Sequence, residues 1–174
     1  MNSKISKTIR VLFSVTALTG TTMLLSASKP AWAEPEQRGL TGTWLVTVQQ
    51  IDCKALTNIG LPFQSLLTFG RDGTLIETTV NTGFAPGQRG PGHGFWERTR
   101  HDEFRAVSEA FIIFTTPAHG PVPEFDMGRQ RIDQSIEYAG GEHFSSDAAI
   151  TFTDPSGTVL RSGCASATGT RLDE

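Results

Sequence analysis

The feature that most constrains the fold is the regular alternation of short apolar runs with turn-forming residues, from residue 42 to the C-terminus. Gly, Pro and Asp separate the runs, as in Arg71-Asp72-Gly73 and Asp154-Pro155-Ser156-Gly157. No window of useful length shows a helical period. The pattern is typical of antiparallel strands joined by tight turns.

Eight strands are predicted from this pattern. They are Gly42–Asp52, Phe63–Phe69, Thr74–Val80, Phe95–Arg100, Phe104–Thr115, Met127–Tyr138, Phe144–Thr153 and Thr158 to about Leu172. Sequential strands with short connections favour an all-β fold, a single eight-stranded antiparallel up-and-down β-barrel, because closure removes exposed sheet edges. A β-sandwich is the alternative.

The N-terminus has the layout of a secretory signal peptide. Basic residues precede an apolar stretch, Val11–Leu25, and the segment ends in Ala31-Trp32-Ala33, a small-x-small pattern. We therefore predict a signal peptide at residues 1–33, a barrel domain at 34–174, and a secreted or periplasmic protein. The apolar stretch is too short and too interrupted to span a bilayer, so no membrane span is expected after processing.

The charge balance bears on the choice of partner. The predicted signal peptide contains four basic and no acidic residues, which leaves 11 basic and 18 acidic residues in 34–174, a net charge of −7. An acidic domain without a basic run argues against binding to nucleic acid.

Two cysteines, Cys53 and Cys164, remain in the predicted domain. In an exported protein, such a distant pair favours a disulfide over free thiols or a redox-active Cys-x-x-Cys site.

The cysteines also fit a barrel register. Paired residues on antiparallel strands keep a constant sum of residue numbers. Cys53 and Cys164 sum to 217, and Trp44 and Arg171 sum to 215, so both pairs fit one ladder between the first and last strands within a small slip. Arg171 is then expected near the Trp44 ring, in a cation–π contact.

The segments Gly42-Thr43-Trp44 and Gly169-Thr170-Arg171 resemble the lipocalin and wider calycin pattern. The family has Gly-x-Trp on the first strand and an Arg near the end of the last one. The stretch Pro91–Trp96 is similar to one in uncharacterised bacterial exported lipocalin-like proteins. The resemblance implies that Trp44 and Arg171 form a structural pair at the closed base, and that the barrel is a cup for a small apolar ligand. The Thr-Asp-Tyr-like signature and the long helix after the barrel are absent from the sequence.

The glycine-rich stretch Asn81–Gly94 is predicted to be a wide loop at the barrel mouth, with Arg89, His93 and Trp96 in or beside it. A phosphate-binding loop is disfavoured, because a strand rather than a helix follows and no Gly-Lys-Ser/Thr occurs.

Other chemistry has weak support. The sequence has four histidines, His93, His101, His119 and His143. They lack the close spacing of a metal site on strands, so no metal and no cofactor are predicted. Several carboxylates fall on predicted strands and would suit acid–base catalysis only if they pointed inward: Glu97, Glu109, Asp133 and Glu137, with Tyr138 and His143 nearby. Alternation places Asp133 and Glu137 on a polar, outward face, and no catalytic residue is assigned.

Apolar residues fall on both faces of the fifth predicted strand at Ala110–Phe114. Either the Pro-rich loop with Val122 and Phe125 covers the outer face, or Phe111 and Ile113 form a homodimer interface.

Three functions remain. The first is binding of a small hydrophobic molecule without a cofactor. The second is a barrel isomerase or cyclase, which requires inward charged residues, and the third is an interaction protein whose barrel is filled by its own side chains.

Overall fold

The computed structural model describes residues 39–115 and 125–172, and this part of the chain is built from eight strands. They are β1 (Gly42–Ile51), β2 (Asn58–Phe69), β3 (Thr74–Val80), β4 (Arg89–Arg98), β5 (Glu103–Thr115), β6 (Phe125–Tyr138), β7 (His143–Thr153) and β8 (Val159–Arg171). The predicted signal peptide, His119 and Val122 lie outside the described residues.

The strands form one closed antiparallel barrel in sequence order, and β1 pairs with β8 to close it. The prediction of an up-and-down barrel is confirmed, and the alternative of a two-sheet sandwich is wrong. Among the described residues, no helix has the length and apolar character needed to cross a membrane.

Buried and exposed side chains alternate along the strands. In β2, Leu67 and Phe69 are buried while Leu66 and Thr68 are exposed, and β3 repeats this period of two. Because successive residues of a strand point to opposite faces, one set fills the barrel and the other meets solvent.

The turns follow from their sequence. In the β2–β3 hairpin, Asp72 Oδ1 accepts hydrogen bonds from both the backbone N–H and the hydroxyl of Thr74, and Gly73 adopts φ +84°. A side chain is strained at such a φ, so glycine is the fitting residue.

The seam between β1 and β8 confirms the predicted pairing of Trp44 with Arg171, but Cys53 lies outside the ladder and is not the register partner of Cys164. Trp44 pairs with Arg171, and Cys164 pairs with Ile51, two residues before Cys53. The predicted Cys53–Cys164 disulfide is present, with its Cα atoms 5.3 Å apart. It joins the chain just after β1 to β8, at the mouth end of the seam.

The prediction of a loop up to Gly94 is wrong. β4 begins at Arg89, six residues before the predicted start at Phe95, and the irregular part ends at Gln88. The inner side of β4 has no room for side chains at two of its glycines. A Cβ on Gly94 would overlap the Val107 carbonyl, and one on Gly92 would lie 2.7 Å from Glu77 Oε2.

The core has two apolar clusters. The base cluster is Leu40, Trp44, Val46, Leu67, Phe69, Leu75, Phe104, Ala106, Ile136 and Phe144. The mouth cluster is Ile112, Ile150, Phe152 and Ala165. A polar layer lies between these clusters, and it contains the candidate site.

Candidate functional site

Trp44 and Arg171 lie at the closed base of the barrel. The Arg171 guanidinium carbon is 4.2 Å from the centre of the Trp44 ring. Arg171 also donates to the carbonyls of Thr41 and Gly39, and its Nε lies 3.1 Å from a Glu142 oxygen. Trp44 Nε1 donates to the Leu40 carbonyl at 2.8 Å. Through these hydrogen bonds, the pair connects the residues before β1 to the end of β8.

The three residues expected around the mouth loop do not lie together. Trp96 points into the base, where its ring packs against Phe69 and Phe104 and its Nε1 donates to the Gly70 carbonyl at 2.8 Å. His93 points outward and is exposed. Only Arg89 reaches the upper lumen, and it does so from β4 rather than from a loop.

Arg89 forms a buried ion pair with Glu77 inside the barrel. Arg89 Nη2 lies 2.7 Å from Glu77 Oε1, and both side chains are 5% exposed. Arg89 Nε donates to Gln130 Oε1, and Nη1 donates to the Gly90 carbonyl at 3.2 Å. Every nitrogen of the guanidinium therefore has an acceptor, as a buried charge requires.

The Glu77 carboxylate is equally well partnered. Its Oε1 accepts from the Thr79 hydroxyl as well as from Arg89, and its Oε2 accepts from the Ser108 hydroxyl at 2.9 Å. The hydrogen bonds to both oxygens fix the orientation of the Glu77 carboxylate.

A cavity lies beside this network, between the two apolar clusters. Its volume is about 60 Å³. Its aliphatic wall comes from Val46, Val48, Leu67, Leu75, Ile132 and Ile150, and its polar wall includes Glu77, Arg89, Ser65, Ser108, Gln130 and Gln134.

The space exists because β7 and β8 contribute alanines at this level. Ala148 pairs in register with Ala165, and Ser146 pairs with Ala167 on the layer below. All three alanines line the cavity. Larger side chains at these inward positions would close it.

The cavity opens toward the mouth past Phe84. Phe84, Gln50 and Asn81 line both the cavity and a depression of about 420 Å³ at the mouth. Phe152 borders this depression, and Arg161 lies over the Phe152 ring, with its guanidinium carbon 4.2 Å from the ring centre. In the described part of the chain, the cavity and the mouth depression therefore adjoin at Phe84.

The carboxylates considered for acid–base chemistry point away from the lumen. Glu97 and Glu137 are exposed, and Glu109 lies outside between Arg129 and Arg131, 3.4 and 3.2 Å from them. Tyr138 points inward at the base and donates to the Gly141 carbonyl, and His143 is exposed. These residues do not form a common site.

Asp133 belongs to the same outer network. Arg105 Nε and Nη2 donate to its two carboxylate oxygens, the first at 3.0 Å. These hydrogen bonds from Arg105 lower the pKa of Asp133, partial burial opposes the shift, and the positive charges of Arg105 and Arg131 add to the lowering.

The outer surface near the mouth has exposed apolar side chains. Phe111 is 76% exposed, and Ile113, which pairs in register with Met127, also points outward. The cover suggested by Val122 cannot be described, because that residue lies outside the described part of the chain. Across residues 39–115 and 125–172, no three His, Cys, Asp or Glu side chains lie close enough together to hold a metal ion.

Sequence reasoning missed Glu77 as the inward carboxylate. The β2–β3 hairpin register pairs Phe69 with Leu75 and Leu67 with Glu77. Had the inner face of β2 been assigned to Leu67 and Phe69, the register would have placed Glu77 on the same face. The adjacent apolar pairs Leu66-Leu67 and Leu75-Ile76 hide that choice, because either member fits a core.

Comparison of the sequence with protein-family models finds no match, and comparison with curated proteins finds none either.

Proposed function

We propose that this is an exported, lipocalin-like binding protein that holds one small, mostly apolar molecule in the upper lumen. The observation that carries the proposal is the cavity between the two apolar clusters, with its opening past Phe84. Ligand sites in proteins are mostly apolar hollows with a few placed polar groups, and the mouths of barrels are a common location.

The size of the cavity favours a small ligand. A volume of about 60 Å³ is several times the roughly 10–15 Å³ that one water needs, and it is well below the roughly 300–1,000 Å³ of a typical ligand pocket. A ligand would place one end in the cavity and extend the other into the mouth depression. Displacing water from the aliphatic wall by an apolar body is favourable.

The polar network favours binding over the alternative of a barrel isomerase or cyclase. Glu77 is the inward carboxylate of the described strands at this level, and a catalytic base must be free to approach the substrate proton. The Glu77 carboxylate is held in place by hydrogen bonds from Thr79, Arg89 and Ser108, and Arg89 pairs with its charge. The network therefore suits a fixed wall better than a proton acceptor.

Export is supported by the sequence layout of residues 1–33 and by the disulfide. Disulfides persist in secreted and periplasmic proteins and are rare in the cytosol. The lipocalin-like relationship is supported by the position of Arg171 over Trp44 at the barrel base.

The test is native mass spectrometry of the purified protein, followed by organic extraction and a panel of small apolar and pigment molecules. We expect one bound molecule per barrel. The variant Ala148→Leu should abolish binding by filling the cavity, whereas Ala149→Leu, at the exposed neighbouring position, should bind normally.

An empty protein that takes up nothing from the panel, with the disulfide intact, would contradict the proposal. The filled-barrel interaction protein would then become the better hypothesis. Equal binding by the two leucine variants would place the ligand outside the lumen.

We also propose that the outward apolar residues Phe111 and Ile113 support self-association. Exposed apolar side chains grouped on one surface favour contact with a partner. Analytical ultracentrifugation should show a dimer that Phe111→Ser weakens at least tenfold, and a monomer at all concentrations would contradict this.

A further inference from the structure

The floor of the cavity has a neutral polar group. Gln134 is buried on β6 and pairs in register with Ala106 of the base cluster and with Ala148. Its Nε2 donates to the Ser146 hydroxyl at 2.6 Å. Gln134 therefore lies just above the aromatic base and at the bottom of the cavity.

The other end of the Gln134 amide is open to the cavity. No described residue donates to its Oε1, yet every fully buried side-chain N or O atom of the described residues has a partner. Gln134 lines the cavity, so a ligand there can hydrogen-bond to its amide. If the amide were flipped, so that Ser146 donated to the oxygen, the amide N–H would face the cavity instead.

The charges of the cavity wall cancel each other. Among the lining residues of the described chain, Glu77 and Arg89 are the two charged ones, and they are paired. An anionic ligand would need to displace Glu77 from Arg89, and a cationic ligand would need to displace Arg89 from Glu77. Either displacement leaves an uncompensated buried charge, which is strongly unfavourable.

We infer that the lumen selects an electrically neutral ligand with a hydroxyl or carboxamide group at one end, and that this end lies at the floor against Gln134. The inference rests on the proposed function and adds the chemical class of the ligand. The aliphatic wall takes the apolar body, which extends past Phe84 toward the mouth.

Four ligands of equal heavy-atom count test the inference: benzamide, benzoate, benzamidinium and cumene. They have the same ring and nearly the same branched substituent, and they differ in charge and hydrogen bonding. Binding to the purified, oxidised protein is measured by NMR titration of the lumen methyl groups. We expect benzamide to bind at least tenfold more tightly than benzoate or benzamidinium.

The variant Gln134→Met removes the floor amide and keeps the side-chain length. It should weaken benzamide binding about tenfold, because the ligand amide then lacks its hydrogen-bond partner. Cumene should bind as well as before or better, which also shows that the variant is folded.

Two results would overturn the inference and leave the proposed function in place. The first is tighter binding of benzoate or benzamidinium than of benzamide, and the second is benzamide affinity that Gln134→Met leaves unchanged. Failure of all four ligands, together with an empty protein in mass spectrometry, would overturn both.

Discussion

Glu77 and Arg89 are two opposite charges buried together inside the barrel. Removing two charges from water is costly, and their attraction offsets that cost only with good geometry and further hydrogen bonds. Here Thr79, Ser108 and Gln130 supply those hydrogen bonds. The pair is therefore strongly coupled, and breaking it from one side should be far worse than replacing both members.

Glu77→Gln and Arg89→Met should each lower the free energy of unfolding by about 3 kcal/mol or more, because each leaves the remaining charge buried without its partner. The double variant should lose much less than the sum of the two single losses. Urea denaturation of the four proteins gives the coupling energy. Additive losses would mean that the two charges do not stabilise each other.

Asp133 gives a prediction about pH on the outer surface. Its pKa is lowered in the folded protein by hydrogen bonds from Arg105, so its contribution to stability is present above the unfolded pKa of about 4. That contribution is lost as the pH falls through the lower folded pKa. Asp133→Asn should therefore reduce the loss of stability below about pH 4, as measured by urea denaturation across pH 2–7.

The size of this effect should be small. The Arg105 and Asp133 side chains are 44% and 36% exposed, so solvent screens the pair and its contribution is below about 1 kcal/mol. Arg105→Met removes the donor and should likewise reduce the loss of stability below about pH 4. If neither variant changes the pH dependence of the free energy of unfolding, Asp133 does not contribute to acid unfolding.

β4 is the strand whose glycines make the lumen network possible. A Cβ on Gly92 would lie 2.7 Å from Glu77 Oε2 and 3.3 Å from Glu77 Cδ, so the carboxylate, which accepts from Ser108, would have to shift. Gly92→Ala should lower the free energy of unfolding by about 1–3 kcal/mol through overpacking.

Gly90 provides the matched control on the same strand. A Cβ there would meet only the Phe111 carbonyl, at an ordinary 3.7 Å, so Gly90→Ala should change stability by less than about 0.5 kcal/mol. Thermal or urea unfolding of the two alanine variants checks this. Equal effects would mean that the contact with Glu77 is not what requires glycine at position 92.

The elements could be predicted where local pattern and tertiary environment agree. The bounds of β3, Thr74–Val80, follow from its turn residues and its alternation. β4 could not be predicted, because Gly and Pro normally mark loops. Glycine is needed at positions 92 and 94 because residues of the neighbouring strands lie too close for a side chain there. The start of β2 at Asn58 was missed for a similar reason: it pairs with β1 beyond a bulge between Val48 and Gln50.

The candidate site was less predictable than the fold. The base pair Trp44 and Arg171 is visible in the sequence because both residues lie near strand ends in one register. Prediction of the polar layer requires knowing which of two adjacent apolar residues faces inward. A shift of one residue exchanges the two faces of the strand. The partner of Arg89, twelve residues away on another strand, becomes evident only when that choice is made.

At the scale of the whole molecule, the barrel depends on the seam between its first and last strands. Eight register pairs join β1 to β8, from Trp44–Arg171 to Ile51–Cys164. The disulfide joins Cys164 of this last pair to Cys53, two residues after Ile51, and links residues 111 positions apart. The seam is thus held by backbone hydrogen bonds along its length, by the cation–π pair at the base and by the disulfide at the mouth.

The double variant Cys53→Ala/Cys164→Ala should remain a closed barrel with lower stability. In the chain-entropy model, a cross-link over 111 residues contributes up to about 4–5 kcal/mol, mainly by restricting the unfolded chain. Because the seam ladder does not involve the sulfur atoms, amide hydrogen exchange of β1 and β8 should stay protected, while urea unfolding shows the lost free energy. Selective loss of protection on these two strands would mean that the disulfide itself holds the barrel closed, and that reduction opens the lumen along its seam.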